Sequence, residues 1–319
     1  MKIPGIPAAP VPRFLGIAMF ACVFAGSLAN AEITRHSGSN EAVPHEKYIH
    51  VVSEADSPVQ KTWIKAKDGL YIAAAVRKPK GEGPFPAIIM FHGAPGGRGM
   101  DQLVGWSRGD HGGPVWERFL QEGYVVVVAD YRGGDWNLMN KPSSTGLVTA
   151  IDDGISVIEH VQSLPYVKRD EVSVYGVSLG GNLVMYLAAR VPTLHAVVAG
   201  APAPIWFLGY EIGANGSRPD FATTPPDPAV SKENIAPIKA PVLIIVGTED
   251  RLLPLDTRLH DELAKHGKRV RLEVYEHGYH DFVLGNQGQK RGDLPRGEFL
   301  LQGALDALDL TVGFVRNPR

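Results

Sequence analysis

Ser178 stands in Gly176-Val177-Ser178-Leu179-Gly180-Gly181, and the residues around it are those a serine nucleophile needs. A strand-like run, Val172-Ser173-Val174-Tyr175, leads in, and a helix-like run from Asn182 to Arg190 follows. Strand, G-x-S-x-G, helix is the pattern of a nucleophile elbow, a turn so tight that only small residues fit two positions either side of the serine. The turn lifts the hydroxyl out of the sheet and puts a helix N-terminus beneath it, where partial positive charge favours an oxyanion. A serine in a small-residue turn is common, so the weight of the pattern rests on its flanking elements, on Gly181, and on partners further along the chain.

An activated serine needs a base, and the base needs an orienting acid, which follow in the order serine, acid, histidine. Val242 to Val246 reads as a buried strand that ends in Gly247-Thr248-Glu249-Asp250. Asp250 falls in the turn past the strand end, with Glu249 beside it as the alternative acid. The histidine belongs in a loop after the last strand, where Tyr275-Glu276-His277-Gly278-Tyr279-His280-Asp281-Phe282 offers two. The loop after Gly278 gives His280 the reach across the sheet, and His277, nearer the strand end, is left a structural or solvent-facing role. The two histidines also stand at i, i+3, but no carboxylate–histidine motif elsewhere completes a metal site, so neither metal nor other cofactor is expected. An oxyanion hole needs two donors. They are assigned to the backbone N–H of Leu179 and to that of Ala94, in the glycine-rich loop His92-Gly93-Ala94-Pro95-Gly96-Gly97. His92 is expected to hold that turn by hydrogen bonding.

Positioning these groups falls to alternating strands and helices. Lys61 to Lys67 and Leu70 to Lys78 read as a hairpin around Asp68-Gly69. Phe85 to Phe91 and Tyr124 to Ala129 are continuous apolar runs, as parallel strands covered on both faces require. Leu147, Ile151, Ile155 and Ile158 lie on one face of a helix. Further strands are expected at His195–Ala199 and Val270–Tyr275, and helices at Val115–Gln121, Thr257–Ala264 and Glu298–Phe314. The fold class is α/β, a mostly parallel sheet flanked by helices with an antiparallel edge. Residues 202–241 break the rhythm and read as a small lid over the site, with Trp206, Phe207 and Tyr210 as candidate substrate-binding residues. Packing over the core would explain those aromatics equally well.

The 319 residues, 44% hydrophobic and 21% charged with a net charge of −2, have ordinary globular composition. The scattered basic residues give no electrostatic case for nucleic acid or an anionic membrane. Lys2 and Arg13, the apolar run Phe14 to Leu28 and Ala29-Asn30-Ala31 read as a secretory signal peptide over residues 1–31, cut after Ala31. The run is shorter than the roughly 20 residues of a spanning helix. This predicts a secreted or periplasmic protein, free of the membrane once cleaved. Cys22, the only cysteine, lies inside the signal, so the mature chain has no disulfide and no thiol nucleophile. Residues 32–60 read as a loosely ordered lead-in and 61–319 as the catalytic domain. Asn215-Gly216-Ser217 matches a glycosylation sequon.

Taken together, the chain resembles the α/β-hydrolase superfamily over nearly all of its mature length. Gly176–Gly181, Pro241–Pro254 and Gly278–Phe282 resemble prolyl-oligopeptidase-like catalytic domains and the dienelactone-hydrolase-like group, and Asp130-Tyr131-Arg132-Gly133-Gly134 resembles the arginine-glycine loop of the former. The resemblance implies an eight-stranded core and a triad of Ser178, Asp250 and His280; Arg251-Leu252-Leu253-Pro254 looks like the pattern that flanks the acid, which favours Asp250 over Glu249. The chain departs from the peptidases in having too little sequence ahead of the domain for a propeller, and no tyrosine between Gly93 and Gly123 to serve the oxyanion. It departs from the dienelactone group in having serine where the namesake enzymes use cysteine. The expected activity is cleavage of a small or medium acyl ester. Peptidase action on short peptides is the alternative within enzymes, and a non-enzymatic binding module the alternative outside them.

Overall fold

The computed structural model describes residues 31–37, 42–44, 52–107, 113–133, 144–213, 216–280, 282 and 299–318. Most of the signal segment, Asn215 and Asp281 lie outside the described residues. In chain order the elements begin β1 (Ala31–His36), β2 (Ala42–Pro44), β3 (Gln60–Lys65), β4 (Tyr71–Arg77) and β5 (Phe85–Phe91). There follow α1 (Met100–Ser107), α2 (Gly113–Gln121), β6 (Val125–Ala129), α3 (Ser144–Ser163), β7 (Val167–Val177) and α4 (Leu179–Arg190). The chain continues through β8 (Val197–Gly200), α5 (Pro228–Ile235), β9 (Val242–Gly247), α6 (Leu253–Lys265), β10 (Val270–Tyr275), β11 (Phe299–Leu301) and α7 (Gln302–Arg316).

Nine strands make one sheet in the order β1-β10-β9-β8-β7-β5-β6-β4-β3, and β2 pairs with β11 in a separate ribbon. Strands β3 and β4 form the antiparallel edge, and the rest run parallel. The expected hairpin is β3–β4. The sheet has one strand more than the eight that the resemblance implied. The addition is β1, in the segment expected as a loose lead-in, which pairs in parallel with β10 from Ala31↔Val270 to His36↔Tyr275. The buried Glu273 carboxylate secures it, at 2.6 Å from His36 Nε2 and 2.6 Å from the Arg271 guanidinium.

The continuous apolar strands are covered on both faces, as their sequence demands. On β6, Val125, Val127 and Ala129 enter one core while Val126 and Val128 enter the other. Helices α3, α4 and α6 cover the first layer, and α1, α2 and α7 the second. In the second, Arg77 and Glu117 form an ion pair with both side chains almost fully buried. Arg77 also donates to the carbonyls of Val52, Ser57 and Ser107, so the cation pins the segment before the hairpin to α1 and α2.

The segment 202–241 packs down onto the first core layer. Phe207 is wholly buried and meets Tyr186 of α4 edge-on at 5.1 Å. Tyr210 packs on Phe221 at 5.1 Å, and its hydroxyl donates to the Thr224 carbonyl. Helix α5 closes the segment, with Asp227 capping the N–H groups of Ala229 and Val230 and Pro228 in its first turn. Among the described residues no helix is long and apolar enough to cross a membrane.

Candidate active site

The elbow forms where β7 meets α4. Ser178 sits between them at φ 56°, ψ −116°, a conformation that costs a non-glycine residue about 1–3 kcal/mol and persists only where the surroundings enforce it. Enforcement comes from both sides. The Ser178 N–H donates to the Gly200 carbonyl at the end of β8, at 2.9 Å. A Cβ on Gly176 would lie 2.1 Å from the Gly180 carbonyl oxygen, and one on Gly180 would lie 2.1 Å from the Phe91 oxygen, so neither position accepts a side chain.

Asp250 and His280 come together as the spacing predicted. Asp250 Oδ2 lies 2.8 Å from His280 Nδ1, and its other oxygen accepts the Leu252 N–H at 2.9 Å. The turn past β9 and the loop past β10 meet through the Glu249 N–H bond to the Gly278 carbonyl, at 3.0 Å. The Asp250 side chain is 1% exposed, whereas Glu249 is exposed to solvent. His277 is exposed, at φ 62°, with its N–H on the Thr248 hydroxyl, a turn residue as expected. Ser178 makes no hydrogen bond to His280 among the described residues, and such bonds commonly tighten only with substrate present.

The two expected oxyanion donors are the backbone N–H groups of Leu179 and Ala94. Leu179 opens α4, where a helix leaves its first N–H groups unbonded. Neither its N–H nor that of Ala94 donates to another group among the described residues. The Ala94 loop reaches the nucleophile, because a Cβ on Gly93 would lie 3.4 Å from Ser178 Cβ.

Asp130 shapes that loop, a role that sequence reasoning missed. From the end of β6 its Oδ1 accepts the N–H groups of Gly97 at 2.9 Å and Tyr131 at 2.8 Å, and lies 3.0 Å from His92 Nε2. Its Oδ2 accepts the Gly99 N–H at 3.0 Å. Burial alone would raise this carboxyl's pKa; the bonds from His92, Gly99 and Tyr131 outweigh it and bring it down to about 2. His92 is buried against Tyr131 and Trp106, with Nδ1 2.7 Å from the Gly93 oxygen. Both ring nitrogens therefore face oxygen acceptors, and both bonds are made at once only when each carries a hydrogen. This is the loop-holding role expected of His92.

A second unforeseen carboxyl lies on α6. Asp256 is fully buried, and neither oxygen has a hydrogen-bond partner among the described residues. Burial, and then the nearby charge of Asp250, push its pKa well above the usual carboxylate value. Of the expected substrate-binding aromatics, Phe207 and Tyr210 are occupied in packing, and Trp206 is 8% exposed with its buried indole N–H unpartnered among the described residues. No group of three or more His, Cys, Asp or Glu among the described residues could hold a metal ion.

The Dienelactone hydrolase family profile matches residues 72–291, from β4 to beyond the His280 loop. The chain belongs to the dienelactone hydrolase family. A curated relative, the quorum-quenching protein AidA of Acinetobacter baumannii, is 29% identical over 130 residues, which is 41% of this chain and 40% of that protein. Matched regions span between 28% and 58% of the lengths of the curated relatives. Among solved structures, an esterase of Pyrobaculum calidifontis superposes with a TM-score of 0.57 at 18% identity, over 86% of this chain and 91% of that one. The acylaminoacyl peptidase of Pyrococcus horikoshii gives 0.57 at 18% identity, over 82% of this chain and 41% of that one. At such identities these likenesses are of fold. This member of the dienelactone hydrolase family thus places a serine, and not a cysteine, at its elbow.

Proposed function

We propose that the protein is a serine hydrolase that cleaves a small or medium acyl ester through an acyl-enzyme. The reading is carried by the buried Asp250 carboxylate bonded at 2.8 Å to His280, past the C-terminal end of β9 as the strained Ser178 turn is past that of β7. Ser178 attacks the ester carbonyl and His280 Nε2 takes its proton. Asp250 holds the imidazole by Nδ1 and stabilises the imidazolium. The N–H groups of Leu179 and Ala94 receive the oxyanion. His280 then protonates the leaving alcohol, and water activated by His280 releases the acid. No cofactor enters this scheme. In the 202–241 segment the indole N–H of Trp206, without a partner among the described residues, is the donor that we assign to substrate binding.

Peptide cleavage uses the same groups, and the rice acylamino-acid-releasing enzyme 2, 21% identical over 62% of this chain, keeps that reading second. We further propose export, with cleavage after Ala31. The cut removes one residue of β1 and leaves Glu32–His36 paired with β10.

The test is hydrolysis of p-nitrophenyl esters of graded chain length beside aminoacyl and Xaa-Pro p-nitroanilides, with fluorophosphonate labelling. Ester turnover with label on Ser178 is expected, and Ser178→Ala is expected to remain folded and lose at least about 10³-fold in kcat. Preferential anilide cleavage would favour the peptidase, and a folded Ser178→Ala protein of near-normal activity would sink the assignment.

A further inference from the structure

The hairpin that closes the sheet carries two large aromatic side chains turned to solvent. Trp63 and Tyr71 are each 59% exposed. Trp63 pairs with Ala73 and Tyr71 with Lys65, which puts both rings on one face as diagonal neighbours. A recess of about 160 Å³ lies beside them, walled by Gly97, Gly99, Asp130 and Arg132. It is smaller than the pockets that enclose whole drug-sized ligands and suits a single ring.

The recess opens past the same end of the strands as the nucleophile. Ala74, Ala129, Phe91 and Gly176 lie level across neighbouring strands. Tyr71 is three residues past that line and Ser178 two, in the same direction. Tyr71 is three strands from β7 and Trp63 four, or roughly 14 and 19 Å at ~4.8 Å per strand. One loop joins the two places: its start abuts Ser178 at Gly93, and its later glycines wall the recess.

The aromatic face is also held rigid. Arg132 binds Asp153 in a fork and bonds Asp68, in the hairpin turn, at 2.7 and 3.2 Å. Rigid, exposed aromatics lose little entropy on binding. Lys61 and Lys65 flank Trp63 on the same face of the edge strand, charges that oppose strand-to-strand addition of a second copy. Asp130 Oδ2, with one hydrogen bond among the described residues, keeps capacity to accept another from a ligand hydroxyl.

We propose that the Trp63–Tyr71 face and its recess bind a pyranose ring of an oligosaccharide. Such a ring offers C–H faces to the negative faces of aromatic rings and hydroxyls to the polar wall. If Ser178 acts on esters, as proposed above, the sugar is the distal part of an esterified carbohydrate that spans the glycine loop.

The test is calorimetric titration of the full protein with cellohexaose and xylohexaose, which needs no turnover. Binding of at least one is expected, weakened about 2- to 12-fold in each of Trp63→Ala and Tyr71→Ala. Ile33→Ala, an exposed change on the opposite sheet edge, is expected to bind like wild type, and matching melting curves would show that the variants fold. Failure of both sugars to bind, or undiminished binding in both aromatic variants, overturns the proposal. So does a wild-type dimer in sedimentation velocity that Trp63→Ala dissociates, since the face then belongs to a second copy. Wild-type hydrolysis of p-nitrophenyl acetate is read separately. Hydrolysis without sugar binding defeats this proposal alone, and aromatic-dependent sugar binding without hydrolysis supports it and defeats the ester reading.

Discussion

Asp130→Asn is the most informative single substitution, because one carboxylate supports both the fold and the glycine loop that carries Ala94. The side chain is 10% exposed and receives hydrogen bonds from Gly97, Gly99 and Tyr131 beside its contact with His92. Its pKa of about 2, against 3.8 for a free group, corresponds to about 2 kcal/mol of folding free energy. The sign follows from the depressed value: that stability is present above pH ~4 and is lost as pH falls toward 2. Asparagine keeps one acceptor but turns an NH₂ toward the Gly99 N–H or the His92 ring, which leaves a buried donor unsatisfied for a further ~1 kcal/mol or more. Urea denaturation is therefore expected to show a loss of about 2–4 kcal/mol at pH 7, with the gap to wild type narrowing below pH 4. Displacement of the Ala94 N–H by a fraction of an ångström to 1 Å is expected to lower kcat for p-nitrophenyl acetate by roughly 10- to 100-fold. A variant as stable as wild type at pH 7, or a gap independent of pH, would refute the reasoning. Lost stability with undiminished kcat would sever the loop from catalysis.

Asp256→Asn acts in the opposite sense. The fold holds a neutral carboxyl that the unfolded chain ionises above about pH 4, so wild-type stability falls with rising pH by up to ~1.4 kcal/mol per unit until the folded pKa is reached. The variant escapes this, and its stability gain in urea is expected to be larger at pH 8 than at pH 5; an equal gain at both would show that Asp256 is already ionised in the fold at pH 5, as it is in the unfolded chain. Glu117→Gln leaves the buried Arg77 charge uncompensated and is expected to cost about 3–5 kcal/mol in urea denaturation. A cost below 1 kcal/mol there would mean that the carbonyls of Val52, Ser57 and Ser107 satisfy the guanidinium by themselves.

The sheet and the candidate site differ in how openly the sequence declared them. Runs such as Val125–Ala129 and Val242–Gly247 suit strands covered on both faces, and a serine between small residues gained its weight from the strand before it, the helix after it and the partners downstream. The order of elements pointed to the turn past β9 and the loop past β10; the resemblance of Arg251-Leu252-Leu253-Pro254 then favoured Asp250 over Glu249, and the reach after Gly278 favoured His280 over His277. Asp130 did not: an aspartate at a strand end carries no periodic signal, and its work is done on backbone N–H groups that any sequence supplies. Asp256 was hidden in a helix whose Leu255, Leu259 and Leu263 announce only an apolar face. Composition could not tell whether Phe207 lined a cavity or filled one, because burial drives both. Strand β1 stayed out of view because its apolar content is slight and its support lies at the far end of the chain.

That last pairing constrains how the protein is made. His36 meets Glu273 237 positions further along the chain, so the first strand has nothing to pair with until β10 is synthesised. At about 5–20 residues per second, this leaves the N-terminal segment unpaired for roughly 10–50 s after it is made. During that interval any factor that handles extended chains competes only with a fold that is still missing its edge. The closing of β1 on β10 is thus a late event, one that reports the arrival of nearly the whole chain.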